Sequence, residues 1–209
     1  MKSKSEVVRM LEGQLYGGKG RIRLVTLETI LKDSQEVVNL ANDPGNPPGF
    51  QHFSFFTEPL SVERQLQYFF RMLESQTDIV MAIEAGFAEL GRFIGTIGIH
   101  DIDEFNDKCR IGIIIFDRNY RKHGYGADAL NTLLRFIFKK LKANKVYLTA
   151  RADNKLAIKI YGKLGFKSEG PMRKEYKIRK GEYMDLLRMS ILRDGYLSEE
   201  ERSERLFEE

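Results

Sequence analysis

Residues 118–141 constrain this chain more than any other stretch. A strand-like run at residues 111–116 ends just before it, and an amphipathic helix starts inside it. Leu130, Leu133, Leu134, Ile137 and Leu141 stand at i, i+3, i+4, i+7 and i+11, one face of a 3.6-residue period. Between strand and helix lies a turn that holds Arg118, Arg121, Lys122, His123, Gly124, Tyr125, Gly126 and Ala127. Glycine lets a backbone approach a ligand closely, and the first turn of a helix leaves its N–H groups unpaired. With the positive end of the helix dipole, those groups make an anion site. The basic side chains add full charges beside it. The stretch therefore predicts a seat for a phosphate or pyrophosphate; an ordinary glycine-rich turn is the plainer alternative for the loop alone.

Two familiar phosphate loops fit poorly. A nucleoside-triphosphate loop needs Lys-Ser/Thr after its glycines, and none follows here. Gly124, Gly126 and Ala129 formally match the dinucleotide pattern Gly-x-Gly-x-x-Gly/Ala. That pattern should open straight from a strand and be followed by an acid at the next strand end. Here several residues intervene, and the strand-like run 145–150 carries no such acid. A dinucleotide-binding oxidoreductase stays as the weaker alternative.

The 209 residues suit one domain with a sizeable core. The net charge of +4 is mild and fits an acidic small ligand. Basic and aromatic residues do not interleave in a stripe, so a nucleic-acid partner is not expected. Cys109 is the only cysteine, which excludes an internal disulfide; in a strand-like run it reads as a buried bystander. No apolar run reaches the length of a membrane span, and the N-terminus lacks the apolar core of a signal peptide. The cytoplasm is the expected location.

Residues 1–20 read as an appendage, with a short helix through Val7, Met10 and Leu11 broken by glycines at 17, 18 and 20. Residues 21–193 read as one domain, and 194–209 as a charged, partly helical tail. Within the domain, residues 21–25 alternate like an edge strand. A helix capped by Thr26 or Thr29 follows, with Ile30, Val37 and Leu40 inward. A Pro/Gly loop leads to an aromatic patch at Phe50, His52, Phe53, Phe55 and Phe56. A second helix after Ser61 places Leu66, Phe69, Phe70 and Leu73 on one face. Strand-like runs at 78–84, 92–100 and 108–116 form two antiparallel hairpins in series. The run 145–150 is the parallel neighbour that a strand-helix-strand unit requires. Asn154 is a good N-cap for a helix whose face holds Ala157, Ile160, Tyr161 and Leu164. Gly165 is a C′ residue with Phe166 as its apolar contact. A hairpin over 167–178 and 183–192 ends the sheet.

The loop also spells Arg-x-x-Gly-x-Gly at residues 121–126. Residues 154–170 spell Asn-x-x-Ala-x-x-x-Tyr-x-x-x-Gly-Phe-x-x-x-Gly. This pair, in the order strand, strand, loop, helix, strand, helix, hairpin, resembles the GNAT acetyltransferase superfamily. Residues 94–103 and 181–185 are most similar to its RimJ/RimL-type and spermidine/spermine N-acetyltransferase branch. The resemblance implies a GNAT-like α/β (α+β) fold: a mixed, twisted sheet of six to seven strands flanked by helices, with helical appendages at both ends. It implies N-acetyltransfer from acetyl-CoA to a primary amine, in a ternary complex and without a metal. The acceptor would be a small polyamine or other amino compound, or a protein N-terminus. It also implies a homodimer. The first 75 residues carry little of it, and in this family they line the acceptor site.

The roles implied are specific. Backbone groups of Ile113, Ile114 and Ile115 would follow the pantetheine arm and supply an oxyanion donor. Arg118 and residues Arg121, Lys122, His123, Gly124, Tyr125, Gly126 and Ala127 would hold the pyrophosphate, with Asn154 and Ala157 also against the cofactor. Tyr161 would touch the cofactor and protonate the departing thiolate. Asp128 reads as a complement to the helix dipole. This branch often carries a glutamate base where Arg110 stands. That departure leaves His100, Asp101, Asp103, Glu104 or a water chain, of which His100 has the ordinary pKa of a base, near 6.5. It also motivates the alternative of an acyl-CoA sensor without catalysis.

Overall fold

A computed structural model describes residues 4–11, 15–17, 21–28, 34–45, 61–86, 91–179 and 181–196 of the chain. Helix α1 (Lys4–Leu11) and strand β1 (Leu15–Tyr16) come first, then β2 (Ile22–Thr26) and the helices α2 (Ser34–Ala41) and α3 (Val62–Glu74). Strands β3 (Ile79–Ala85), β4 (Arg92–Asp103) and β5 (Lys108–Ile115) follow, then α4 (Tyr125–Phe136), β6 (Lys145–Arg151) and α5 (Lys155–Lys163). The hairpin β7 (Lys167–Arg179) and β8 (Glu182–Leu192) is last. The strands form one mixed sheet of eight, in the order β1-β2-β3-β4-β5-β6-β8-β7. Neighbours from β1 to β5 pair antiparallel, β5 and β6 pair parallel, and β8 lies antiparallel between β6 and β7.

The strand beyond the expected seven is β1. Its two residues pair with Leu24 and Arg23, inside the segment read as a helical appendage. A strand that short has no alternation to read. In the same segment, α1 sends Val7 and Leu11 into the main core.

That core lies on one face of the sheet. Leu130, Leu133, Leu134, Ile137 and Leu141 are each 2% exposed or less, and they pack with Ile97, Ile99, Ile111, Val146 and Leu148. Burying one such side chain contributes about 1.5–3 kcal/mol, so this stripe fixes α4 firmly over the strands. The helix ends in a π-helical turn, Ile137–Leu141, closed by Lys142 in a left-handed conformation. A second cluster on the opposite face joins Val37, Val38 and Ala41 of α2 and Phe69 of α3 to Val80, Ala82, Phe93 and Phe116.

Helix α3 is rotated from its expected face. Ser61 caps it as predicted, accepting from the Arg64 N–H. Phe69 is fully buried, but Phe70 is 52% exposed and Leu66 only half-buried, while Gln65 is buried. Adjacent residues on a helix point about 100° apart, and a tandem of phenylalanines does not say which one faces in. Ile30, the aromatic patch at 50–56 and the tail at 198–209 lie outside the described residues.

The feature that positions the site is a splay between the parallel strands. Their pairing covers only Lys108↔Lys145, Cys109↔Val146 and Arg110↔Tyr147. Beyond that, β5 continues to Ile115 and β6 to Arg151 without pairing to each other. Opposite Arg110, the β4–β5 ladder shifts register between His100 and Asp103, and Asp101 takes a positive φ of 49°.

Candidate active site

The splay exposes a row of main-chain groups. The Phe116 N–H donates to Ile94 O at 2.8 Å, so Phe116 faces β4. Backbone groups alternate along a strand. Those of Ile113 and Ile115 therefore point to the other edge, into the gap beside β6. Arg121 Nε fills one position there, donating to Ile115 O at 2.9 Å, and its terminal nitrogen donates to Phe116 O at 2.7 Å.

The N-terminus of α4 closes the same gap. Its first ladder bond is Asp128 N–H to Gly124 O, 3.0 Å, which leaves the N–H groups of Tyr125, Gly126 and Ala127 without a helical partner. Gly124 sits at φ 87° as the N-cap, a conformation natural to glycine. A Cβ added to Gly126 would lie 3.6 Å from Ile115 and 3.8 Å from Ile113, so this glycine faces the splayed strand directly. Lys122 and His123 are exposed at the rim. Arg21, just before β2, donates to His123 O at 3.1 Å and lies 4.9 Å above the Tyr125 ring. The loop is thus a cup of N–H groups beside an open strand edge.

Not all the basic residues point into the cup. The Arg121 guanidinium is bound back onto the end of β5. Arg118 extends away, its Nε 3.5 Å from Asp43 Oδ2. What this loop offers an anion is chiefly backbone.

On α5, Asn154 accepts from the Ala157 N–H at 3.1 Å and caps the helix. At the other end Gly165 takes φ 94°, its N–H bonds Gly162 O, and the Phe166 N–H bonds Tyr161 O. This is a Schellman closure, and the Tyr161 and Phe166 rings meet edge-on at 6.0 Å. Burial pushes the Tyr161 hydroxyl up to about 12, so it is protonated at neutral pH and can only give a proton. Buried Cys109 is likewise pushed up to about 12 by burial, which leaves an unreactive thiol.

The opposite face of the sheet carries a second set of groups. His100 lies on β4 directly across from Arg110, and its Nδ1 is 2.8 Å from Asp78 Oδ1. Its Nε2 lies over two glycines: a Cβ added to Gly98 would come within 2.6 Å of it, and one on Gly112 within 3.4 Å. Asp78 is held in turn by Ser75 Oγ, which donates to Oδ2 at 2.6 Å, and by Thr77 Oγ1 at 3.2 Å. Burial works against its charge, but the hydrogen bonds from Ser75 and His100 win and hold its carboxyl below the usual range. Burial and then the Arg110 charge push His100 below its ordinary value, so its imidazole is neutral at pH 7. Of the other base candidates, Asp101 is 2.6 Å from Arg110 Nε, and Asp103 is tied to Asn106 and Lys108. No cluster of potential metal ligands occurs among the described residues.

The acetyltransferase (GNAT) domain family matches residues 21–167. The chain belongs to the GNAT acetyltransferase family. Among individual relatives it is 31% identical over 108 residues to the uncharacterized N-acetyltransferase p20 of Bacillus licheniformis, covering 52% of this chain and 60% of that one. It is 32% identical over 108 residues to the spermidine N(1)-acetyltransferase of Vibrio cholerae, covering 52% of this chain and 61% of that one. A crystal structure of spermidine N-acetyltransferase from Vibrio cholerae in complex with CoA and spermine superposes with a TM-score of 0.70 at 25% identity, over 85% of this chain and 98% of that chain. By sequence, the chain spans about 60% of the length of these curated relatives.

With the GNAT family shown, the formal dinucleotide pattern at residues 124–129 loses its claim. The structure brings the GNAT loop, the open edge at 113–115 and the α5 N-terminus into one half of the fold, and His100 onto the other face. Asp78, Ser75 and Arg21 are not among the site residues expected from the sequence. Asp78 lies 22 positions from His100, and no local spacing links them. A signal existed only in the neighbouring Ser-x-Thr-Asp run at 75–78, a group of short polar residues that hydrogen-bond locally. No described helix is long and apolar enough to cross a membrane.

Proposed function

We propose that this GNAT chain transfers an acetyl group from acetyl-CoA to a primary amine by direct attack of the amine on the thioester. The observation that carries this is the splay of β5 from β6, abutting the unpaired N–H groups at the start of α4. A pyrophosphate suits the N–H cup at Tyr125, Gly126 and Ala127, with Lys122 and His123 at its rim. An amide-bearing pantetheine arm suits the open groups of Ile113 and Ile115, and one of those N–H groups would receive the oxyanion. Asn154 and Ala157 close the far side. Tyr161 would return a proton to the sulfur.

The acceptor is a primary amine, a polyamine or other small amino compound, or a protein N-terminus. The relative crystallised with spermine supports a polyamine. Within this chain the acidic run at the end of β4 supports it weakly, because Asp101 and Asp103 already meet Arg110 and Lys108. Arg110 in place of a glutamate favours the second reading, a protein that binds acyl-CoA without turning it over.

Purified protein with acetyl-CoA should release free CoA thiol in the presence of one acceptor among spermidine, spermine, glucosamine and an unblocked peptide. Acetyl-CoA binding by calorimetry without thiol release from any of them would favour the sensor. Neither binding nor release would reject both readings.

A further inference from the structure

We propose that Asp78 is the positioning residue of a histidine base: its carboxylate holds Nδ1–H of His100 and aims Nε2 across the Gly98–Gly112 floor at the mouth of the β5–β6 splay. This rests on the transferase reading and supplies the base that Arg110 does not.

The geometry is built from four separate segments. Ser75, the C-cap of α3, accepts the N–H groups of Thr77 and Asp78 at 3.2 and 3.1 Å and donates to the Asp78 carboxylate. The Ile102 N–H bonds Thr77 O at 3.1 Å, which fastens the bulge after His100 to this turn. Lys4 of α1 donates to the carbonyls of Met72, Leu73 and Ser75, clamping the end of α3. The two oxygens of Asp78 are then shared out, Oδ2 to Ser75 and Thr77 and Oδ1 to His100. An anionic carboxylate accepts hydrogen bonds and cannot donate one. The proton of a neutral imidazole therefore sits on Nδ1, and the lone pair on Nε2. Gly98 leaves the room that Nε2 occupies, since a Cβ there would come within 2.6 Å of it, and Gly112, two residues past the last β5–β6 pair, lies beside the ring.

Other charged and titratable groups bear on this ring. Arg110 faces it from β5 and Asp101 from β4, while Tyr68 of α3 and Tyr147 of β6 adjoin these groups, and Lys4 adds its field to Asp78. Arg110 and burial disfavour the imidazolium at rest, and Asp78 favours it once formed.

The step balances. The neutral amine attacks the thioester carbon, a C–N bond forms, and the C–S bond breaks. The nitrogen loses its proton to His100 Nε2, and the thiolate takes one from Tyr161. The products are the N-acetylated amine and free CoA thiol, and water resets both side chains.

The test is the pH profile of kcat and KM for the wild type, His100→Gln, Asp78→Asn and Ser75→Ala, using acetyl-CoA and the best acceptor of the panel above. General-base loss lowers rates by about 10²–10⁴-fold. His100→Gln should fall in that range with KM for acetyl-CoA within about twofold. Asp78→Asn should lower kcat by about tenfold or more and move the acid limb to lower pH, since the imidazolium loses its partner. Ser75→Ala, the milder change, should lower kcat by less than Asp78→Asn, because the carboxylate loses one of the donors that fix its position. Nitrogen-15 spectra of the imidazole should show Nε2 unprotonated in the wild type. An active wild type whose variants keep its rate and acid limb would overturn the dyad and leave the transferase intact. A wild type that binds acetyl-CoA and never acetylates would overturn both.

Discussion

The two faces of the central sheet are built on different logic. Under α4 the contacts are apolar and continuous, and the polar groups left open at the splay are backbone amides of Ile113, Ile115 and residues 125–127. Under α3 the sheet turns polar near His100, and the groups that matter are side chains drawn from α1, the turn before β3, β4 and β5. A seat made of main chain needs glycines and a packed helix at fixed spacing. A site made of side chains needs only that distant segments arrive together. The first leaves a mark in sequence, and the second leaves almost none.

The comparison breaks most visibly in the α4 core. Leu133, fully buried, should cost about 2–5 kcal/mol of unfolding free energy when cut to alanine, as a cavity opens under the helix. Urea denaturation measures this. A loss under about 1 kcal/mol would mean that α4 is not the rigid wall described.

Next comes the cup itself. Gly126→Leu would grow toward Ile113 and Ile115 and fill the splay. It should weaken acetyl-CoA by about 100-fold, about 2.7 kcal/mol, with little change in unfolding midpoint. Unchanged affinity by calorimetry would put the cofactor elsewhere.

Arg121→Gln sharpens the division between backbone and side-chain roles. The lost bonds to Ile115 O and Phe116 O should cost about 1–3 kcal/mol of stability. The KM for acetyl-CoA should rise only severalfold, as the loop loosens. A large rise in KM at undiminished stability would show instead that the guanidinium grips phosphate directly.

The smallest effect is on the polar face. His100 has a lower pKa folded than its ordinary 6.5, so the unfolded chain binds more protons in the window just below 6.5. Stability should therefore rise with pH through that window and be lost as pH falls. Thermal melts of His100→Gln should show a flatter acid side there than the wild type. An unaltered slope would mean that the ring is solvated and titrates freely.

Legibility follows the same division. The inward stripe of α4, the Asn154 cap, the Gly165 closure, the two hairpins and the parallel β6 all follow local periods or turn chemistry, and each could be read directly. The eighth strand is too short to show a period. The inward face of α3 is not legible in the sequence, because Phe69 and Phe70 are equally apolar neighbours and only tertiary contact selects one. Arg118 and Arg121 look like phosphate ligands by charge, but Asp43 and the end of β5 claim them. His100 stood out by residue type alone. Its partner Asp78 did not, because pairing between β3 and β4, not spacing, brings them together.

An amide-resolved NMR titration with acetyl-CoA tests the central claim most directly. The account predicts that the largest shifts fall on the N–H groups of Ile113, Ile115 and residues 124–127, saturating together. Saturable binding that leaves those amides unmoved and shifts another part of the sheet would contradict it.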